Sequence, residues 1–369
     1  MQVRTLWLTD FRSYASAQLE LAPGLTALVG ANGEGKTNLL EALAWLASLS
    51  SFRSAPTEAL VRRGAPFAVV RALAEREGRE LLVEAQIQAN GRNRVLVNRQ
   101  PLRRARDLLG SLRVTVFTPD DLAIVKEGPG ERRRFLDDAL VSLHPRNDAL
   151  RTAVDKVLRQ RNALLKQTGG RLDESTAFTL DVWDDKLASA GAALASARMG
   201  LLDRMRPVLG ATYDALARRP ALVGVRYESG WAPDAVGGDA DVLAAALSDA
   251  LRAARGDDVR RGVSTVGPHR DEIALTIGGA PARTQASQGE QRTLALALRL
   301  AVHHVVTAGA GSPPVLLLDD VFSELDPDRS AALLTNLPEG QTLLTTASTL
   351  PPEAHPDVVV RLVHGEIVR

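Results

Sequence analysis

The sequence predicts an α/β fold in which a mixed sheet is interrupted by an inserted, mainly helical lobe. Three observations carry this expectation. Short apolar runs of strand character crowd both ends of the chain, a long stretch between them has helical apolar spacing, and the first buried strand runs straight into a glycine-rich turn that opens a helix. With 369 residues, 45% hydrophobic and 24% charged, the chain is long enough for two domains, or for one with a large insertion.

In chain order, residues 3–8 and 18–21 read as short strands joined by a turn, and Leu25–Val29 as a buried strand. A helix is expected from 36 to about 49. Alternating segments at 68–73, 81–88 and Arg94–Val97 suggest an antiparallel sheet, and this lobe closes near Val114–Phe117. Beyond Pro119 the segments 131–143, 145–166, 177–206 and 241–255 carry helical spacing with abundant Ala, Leu and Arg. Gly169, Gly170 and the stretch 233–239 read as turns or loops, and the helices read as too short for a long coiled-coil arm. After Gly262 strand character returns at Glu272–Ile277, 315–319, 341–345 and Val358–Val363, interleaved with helices at 288–306 and 328–336. The expected division is therefore 1–120 with 257–369 as one lobe and 121–256 as the other.

Bulk composition bounds the setting. Cysteine is absent, which excludes disulfides and thiolate metal sites and fits a cytoplasmic protein. Arg4 and Asp10 break up the apolar start, so no secretory signal is expected, and the most apolar helix, 294–306, is interrupted by Arg299, His303 and His304, short of the roughly 20 apolar residues of a membrane span. A net charge of +1 exerts no strong pull on phosphates as a whole, so nucleic-acid binding would need a local basic face. The basic residues are nearly all arginine, and of the few lysines Lys36 stands out by position.

Gly30-Ala31-Asn32-Gly33-Glu34-Gly35-Lys36-Thr37, followed by Asn38, completes the Walker A pattern between an apolar strand and a helix. Glycines let backbone N–H groups turn inward on phosphate oxygens, and the helix start adds its positive dipole end. Lys36 is expected on the β- and γ-phosphates of ATP and the Thr37 hydroxyl on Mg2+. The apolar run 315–318 ends in Asp319 and Asp320, as a central parallel strand delivering carboxylates would. Asp319 is expected to hold Mg2+, and Asp320 to act as the base for the attacking water. ABC ATPases usually carry glutamate at this second position; the shorter aspartate suggests slow hydrolysis. Ser287-Gln288-Gly289-Glu290-Gln291 opens an apolar helix and resembles the ABC signature, while Ser287 and Glu290 also have capping-box spacing, so capping alone is an alternative for them. In ABC folds such a signature meets the γ-phosphate bound by another subunit, which makes Ser287, Gly289 and Gln291 expected nucleotide contacts in a homodimer. Residues 323–326 resemble the D-loop at such a seam. Thr346 or its neighbour stands where many ABC proteins carry a γ-phosphate-sensing histidine. His303, His304, His355 and His364 lie elsewhere and read as surface or core residues.

Four stretches sharpen the resemblance: Asp10-Phe11-Arg12-Ser13-Tyr14, the segment Gly128-Pro129-Gly130-Glu131-Arg132-Arg133-Arg134-Phe135-Leu136-Asp137, Gly267-Pro268-His269-Arg270-Asp271, and the Asp-Asp form of Walker B. Together they make the chain similar, along nearly its whole length, to the RecF family of recombination mediators related to SMC proteins. The resemblance implies ATP-dependent dimerisation, ATP-dependent binding of gapped or junction DNA, and cooperation with RecR and RecO in loading RecA. Arg12 is a candidate nucleotide contact, and Arg53, Arg62, Arg63, Arg103, Arg104, Arg106 and Arg132 to Arg134 are candidates for phosphate contact. Consecutive helical residues point about 100° apart, so the three arginines at 132–134 cannot share one face and at least one is expected to pack internally. The competing readings are an ABC transporter subunit, which would place its signature nearer Walker A; an overcoming-lysogenisation type nuclease, which needs a downstream cleavage domain; an SMC clamp, which needs sustained heptads; and an assembly protein that binds ATP without hydrolysing it.

Overall fold

The computed structural model describes residues 1–232, 238–363 and 365–368. Residues 233–237 of the expected loop at 233–239, and His364, lie outside the described residues. The fold is α/β with mixed sheets and a helical insertion, and its contacts divide the chain into two compact units: residues 1–122, 211–220 and 287–369, and residues 123–210 and 221–286.

The first unit is built on two sheets. Strands β1 (Gln2–Phe11), β2 (Tyr14–Glu20), β4 (Phe67–Arg76), β5 (Arg79–Gln88), β6 (Arg94–Val97) and β7 (Gln100–Pro101) form an antiparallel sheet in the order β2-β1-β4-β5-β6-β7. Their alternation puts Val3, Leu6, Leu8, Val70, Val83 and Ile87 in the core. The second sheet holds β3 (Leu25–Val29), β8 (Val114–Phe117), β12 (Val315–Leu318), β13 (Thr342–Thr346), β14 (Val358–Val363) and β15 (Glu366–Val368), ordered β15-β14-β3-β13-β12-β8. All its pairings are parallel except the edge pair of β14 with β15. A strand covered on both faces reads as a continuous apolar run, which is why every residue of β12 is buried.

Helix α1 (Lys36–Ser48) packs on β1, β4 and β5 of one sheet and on β8 and β13 of the other. Leu39, Leu40, Leu43, Trp45 and Leu46 are buried along it, so the helix that starts at the glycine-rich turn is also the filling between the sheets. Gln341 clasps the same region: its amide accepts from Val3 N–H at 2.7 Å and donates to the carbonyls of Val3 and Ala22, each at 2.7 Å. The signature-type helix α8 (Gln288–Ala310) packs on β8. It is the one helix among the described residues long and apolar enough to cross a membrane, yet 67% of its most apolar stretch is buried inside the fold. α9 (Pro327–Thr335) follows β12.

The second unit contains α2 (Leu122–Lys126) from Ala123 onward, α3 (Pro129–Leu143), α4 (Asp148–Gln167), most of α5 (Glu174–Ala217), α6 (Ala240–Arg261), α7 (Ala282–Gln285), and a small antiparallel sheet of β9 (Val223–Glu228), β10 (Glu272–Ile277) and β11 (Ala280–Pro281). Arg161 of α4, with no exposed surface, bonds Asp184 of α5 and Asp258 of α6 at 2.7 Å each, fixing three helices to one buried charge cluster.

Two expectations change. The helix expected at 177–206 is one continuous helix of 44 residues that runs through Pro207, roughly 66 Å at 1.5 Å per residue, so the expectation of short helices fails here. Proline in a helix forfeits its own bond to the carbonyl four residues back, but Leu209, Tyr213 and Leu216 are buried beyond it and hold the last turns. The strand Glu272–Ile277 does not rejoin the N-terminal lobe. It pairs with β9, an unanticipated strand, and residues 257–286 pack within the second unit. Gly224 hid β9 from the alternation pattern; a Cβ there would collide with the Thr276 hydroxyl.

His303 of α8 is 1% exposed and its Nδ1 lies 3.1 Å from the Thr115 hydroxyl. Burial, with a smaller contribution from His304, pushes its pKa down to about 4 from 6.5. The native state therefore refuses a proton that the unfolded chain accepts, so stability is whole above about pH 6.5 and is lost as pH falls toward 4, by about 3 kcal/mol. Urea midpoints at pH 7 and pH 4.5 are expected to show the advantage of wild type over His303→Gln shrinking by that order.

Candidate nucleotide site

The phosphate loop is braced by residues outside it. Gly30 N–H donates to the carbonyl of Thr346 at 3.3 Å, setting the loop's start against β13. Gly33 and Gly35 sit at φ 89° and 92°, the left-handed region that side chains resist. A Cβ at Gly35 would also stand 2.8 Å from the Tyr14 hydroxyl and 3.0 Å from that of Ser13. These residues brace the loop: Tyr14 donates to Gly35 O at 3.2 Å and Asn38 donates to Ser13 Oγ at 2.9 Å. On the other side the Glu34 carboxylate accepts Gly365 N–H at 2.7 Å, while Ala31 and Asn32 are exposed.

Lys36 folds back over its own loop, donating to Gly30 O at 2.6 Å and Ala31 O at 2.8 Å. Burial lowers its pKa, opposed by Asp320, Asp319 and Glu34. The ammonium is thus short of water and, among the described residues, bonded only to neutral carbonyls, which suits an anionic partner.

Asp319 and Asp320 follow β12 at the same edge. Asp319 Oδ1 accepts from Thr37 Oγ1 at 2.9 Å and from Thr345 Oγ1 at 2.7 Å. Burial raises its pKa, with the two threonine hydrogen bonds working against this. The Thr345 hydroxyl also accepts the Asp320 N–H at 2.9 Å, so one side chain sets both acids. The sequence left open Thr346 or its neighbour at this strand end, and neighbours on a strand face opposite ways: Thr345 faces Asp319, while the Thr346 hydroxyl turns to Ser348, 3.1 Å from its Oγ. Asp320 itself has φ 47° and ψ 35°. Aspartate and asparagine enter this left-handed region more readily than other side chains, which gives a conformational reason for aspartate where glutamate is usual.

A hydroxyl and a carboxylate in contact are hard oxygen donors of the kind Mg2+ takes, and no cluster of three acidic or imidazole groups occurs among the described residues. Such a pair fits an ion whose remaining ligands come from phosphate and water.

Ser287 caps α8 with both halves of a capping box: its hydroxyl accepts Glu290 N–H at 3.3 Å and the Glu290 carboxylate accepts Ser287 N–H at 2.9 Å. Ser287 is exposed, whereas Gln291 is 5% exposed. Gly289 lies under Arg329: a Cβ would be 2.5 Å from its Nη1. Arg329 is held by Asp326 at 2.7 Å, and Arg219 reaches Glu290 at 3.0 Å. These arginines carry no motif and were not anticipated. Among the described hydrogen bonds, none joins Ser287 or Gly289 to residues 30–38.

Arg12 borders the loop at φ 53°, but its Nε and Nη2 bond Glu41 at 2.7 Å each and its Nη1 bonds Ala59 O at 2.9 Å. Its guanidinium braces α1. Glu41, fully buried in mid-helix, was the missed signal of that role. Of the arginines considered for phosphate contact, Arg62 pairs with Asp10 at 2.6 Å and Arg132 is buried against Glu272 at 2.7 Å, so one of the three at 132–134 does pack internally.

A phosphate loop after a central parallel strand, an acid pair two strands away and a capped signature-type helix define an ABC-type ATPase head. Residues 2–349 match the RecF/RecN/SMC N terminal domain model. Two relatives called DNA replication and repair protein RecF are similar over essentially the whole chain: that of Beutenbergia cavernae is 43% identical with 100% of both chains covered, and that of Kineococcus radiotolerans 44% identical with 99% of this chain and 96% of its own. The chain belongs to the RecF family. Solved structures of the recombination mediator protein RecF of the RecFOR pathway, one with ATPrS and one with ATP, superpose at TM-score 0.90 and 28% identity, covering 99% and 100% of this chain and 97% of theirs. The Smc head domain of Pyrococcus furiosus shares the fold, at TM-score 0.58 and 16% identity over 100% of this chain and 96% of its own.

The backbone at Asp320 makes a stability prediction. Asp320→Asn is expected to unfold within about 0.5 kcal/mol of wild type, and Asp320→Glu to lose about 1 kcal/mol, since the longer side chain resists the left-handed region. Urea unfolding of the two variants checks this.

Proposed function

We propose that this protein is an ATP-dependent DNA-binding recombination mediator, acting as a homodimer whose nucleotide sites are each completed by the second copy. The observation that carries the reading is the meeting of Thr37 with Asp319 at 2.9 Å beside the glycine-rich loop, in the same chain as an exposed, capped Ser287. The loop N–H groups and Lys36 hold the β- and γ-phosphates of ATP. Thr37 and Asp319 hold Mg2+, which neutralises phosphate charge when bound. Asp320 orients the attacking water, and its short side chain keeps hydrolysis slow. Ser287 and Gly289 of the other copy, at a helix N-terminus, face the γ-phosphate, so ATP but not ADP joins the two copies.

The names of the relatives support a role in DNA replication and repair, and the family resemblance supports binding of gapped or junction DNA, DNA-stimulated hydrolysis, cooperation with RecR and RecO, and loading of RecA in the cytoplasm. With a net charge of +1, DNA is gripped by local arginines, so binding weakens steeply with salt.

Three variants separate the steps. Lys36→Met is expected to lose ATP binding. Ser287→Arg is expected to bind ATP as a monomer with affinity within a few-fold of wild type, and Asp320→Asn to bind ATP and gapped duplex while hydrolysing at least about tenfold more slowly. Fluorescent-nucleotide titration, gapped-duplex binding and phosphate release read the three out. Gapped-duplex binding indifferent to ATP would overturn the mediator reading.

A further inference from the structure

Glu34 is an acid in a loop that suits anions. It stands between Gly33 and Gly35, two residues before the lysine assigned to phosphate. The other acids of the site, Asp319 and Asp320, have a metal ion and a water molecule to serve; Glu34 has neither. Its charge is nonetheless felt there. Burial lowers the pKa of Lys36, and Glu34 works against this after Asp320 and Asp319; burial raises that of Tyr14, and Glu34 adds to it. The neighbouring cation does not neutralise Glu34 by direct pairing, since Lys36 donates to Gly30 O and Ala31 O instead. A carboxylate left loose at this point would repel the phosphates that Lys36 attracts.

The C-terminal hairpin takes hold of that carboxylate. Glu34 accepts the Gly365 N–H at 2.7 Å, across 331 residues of chain. A backbone N–H bonded to a carboxylate is roughly twice as strong as a bond between neutral groups. Gly365 lies in the turn between β14 and β15, at φ 75°, and a Cβ there would meet no atom within 4 Å. Glycine serves the backbone at this position; a side chain would strain the turn without striking a neighbour. The hairpin is itself set against the loop. β14 runs parallel to β3 with Arg361 opposite Val29, and a Cβ on Gly30 would stand 2.6 Å from Leu362 O. The strand therefore passes tightly by the first residue of the loop, and the turn at its end reaches Glu34.

We propose that the β14–β15 turn is a positioning part of the nucleotide site: through the Gly365 N–H it holds the Glu34 carboxylate off the bound phosphates, and bound phosphate in turn presses that carboxylate onto the turn. The two effects are one coupling free energy read from either end, so ATP affinity depends on the turn and the order of the turn depends on ATP. This inference rests on the ATP reading of the loop.

Fluorescent-ATP titration and hydrogen exchange at the amide of residue 365, both on the full-length chain, provide the test. Glu34→Asp keeps the charge on a side chain one methylene too short for the turn, and Gly365→Val forces the turn out of its left-handed setting. Each is expected to weaken ATP at least about fivefold and to speed exchange at residue 365. Raising the salt is expected to shrink that loss, because it screens the repulsion. Glu34→Gln keeps an acceptor and sheds the charge, so it is expected to bind ATP at least as tightly as wild type, and adding Gly365→Val to it to cost less than about twofold. In wild type, ATP is expected to slow exchange at residue 365, and in Glu34→Gln to slow it less. If Gly365→Val weakens ATP equally with glutamate or glutamine at position 34, the turn is a structural support only and the proposal is overturned. Full ATP affinity in Glu34→Asp or Gly365→Val with a freely exchanging amide at residue 365 overturns it too. Wild type that binds no ATP, or binds it as well after Lys36→Met, instead sinks the ATP reading, and this proposal with it.

Discussion

The hydroxyl of Thr37 and the carboxylate of Asp319 are 282 residues apart in the chain and 2.9 Å apart in space. Almost everything in the first unit serves that contact. Thr37 is placed by a helix wedged between two sheets, and Asp319 by a strand buried on both faces. β13 lies between the strands that lead to them and contributes the Thr345 hydroxyl, which bonds Asp319 and the backbone of Asp320 together. A carboxylate taken out of water costs several kcal/mol unless its lone pairs are used, and here two hydroxyls use them. The same burial lowers the proton affinity of Lys36 and leaves that ammonium resting on its own loop carbonyls. The site is a set of desolvated charges that a polyphosphate and a divalent cation together would complement.

Much of this was legible in the sequence. The Walker A run, the apolar strand ending in two acids and the Ser287 cap are local patterns with local causes, and their backbone settings follow from residue type. The parallel sheet was legible for the same reason, since a run such as Val315–Leu318 needs two covered faces. What escaped depends on tertiary context. Thr345 and Thr346 are indistinguishable as letters, and only the strand's phase decides which faces Asp319. Arg12 looked available for nucleotide, but Glu41, buried 29 residues further along on α1, pairs with it. Pro207 looked like a helix end because a local rule says so; packing at Leu209, Tyr213 and Leu216 outweighs one lost hydrogen bond. β9 failed to register because Gly224 breaks its alternation, and with it went the placement of β10.

Asp320, where most ABC ATPases carry glutamate, has a backbone setting that favours it. A left-handed residue at the end of β12 turns the chain toward Val321 and favours aspartate over longer side chains. In the proposed homodimer, the capped start of α8, with Arg329 over Gly289 and Arg219 on Glu290, is the surface prepared for the second copy.

The claim on which the rest hangs is that nucleotide joins two copies. Sedimentation of the wild-type chain with Mg2+ and either ATP or ADP tests it most directly: the account predicts twice the protomer mass with ATP and the protomer mass with ADP. The same mass with both nucleotides would contradict it.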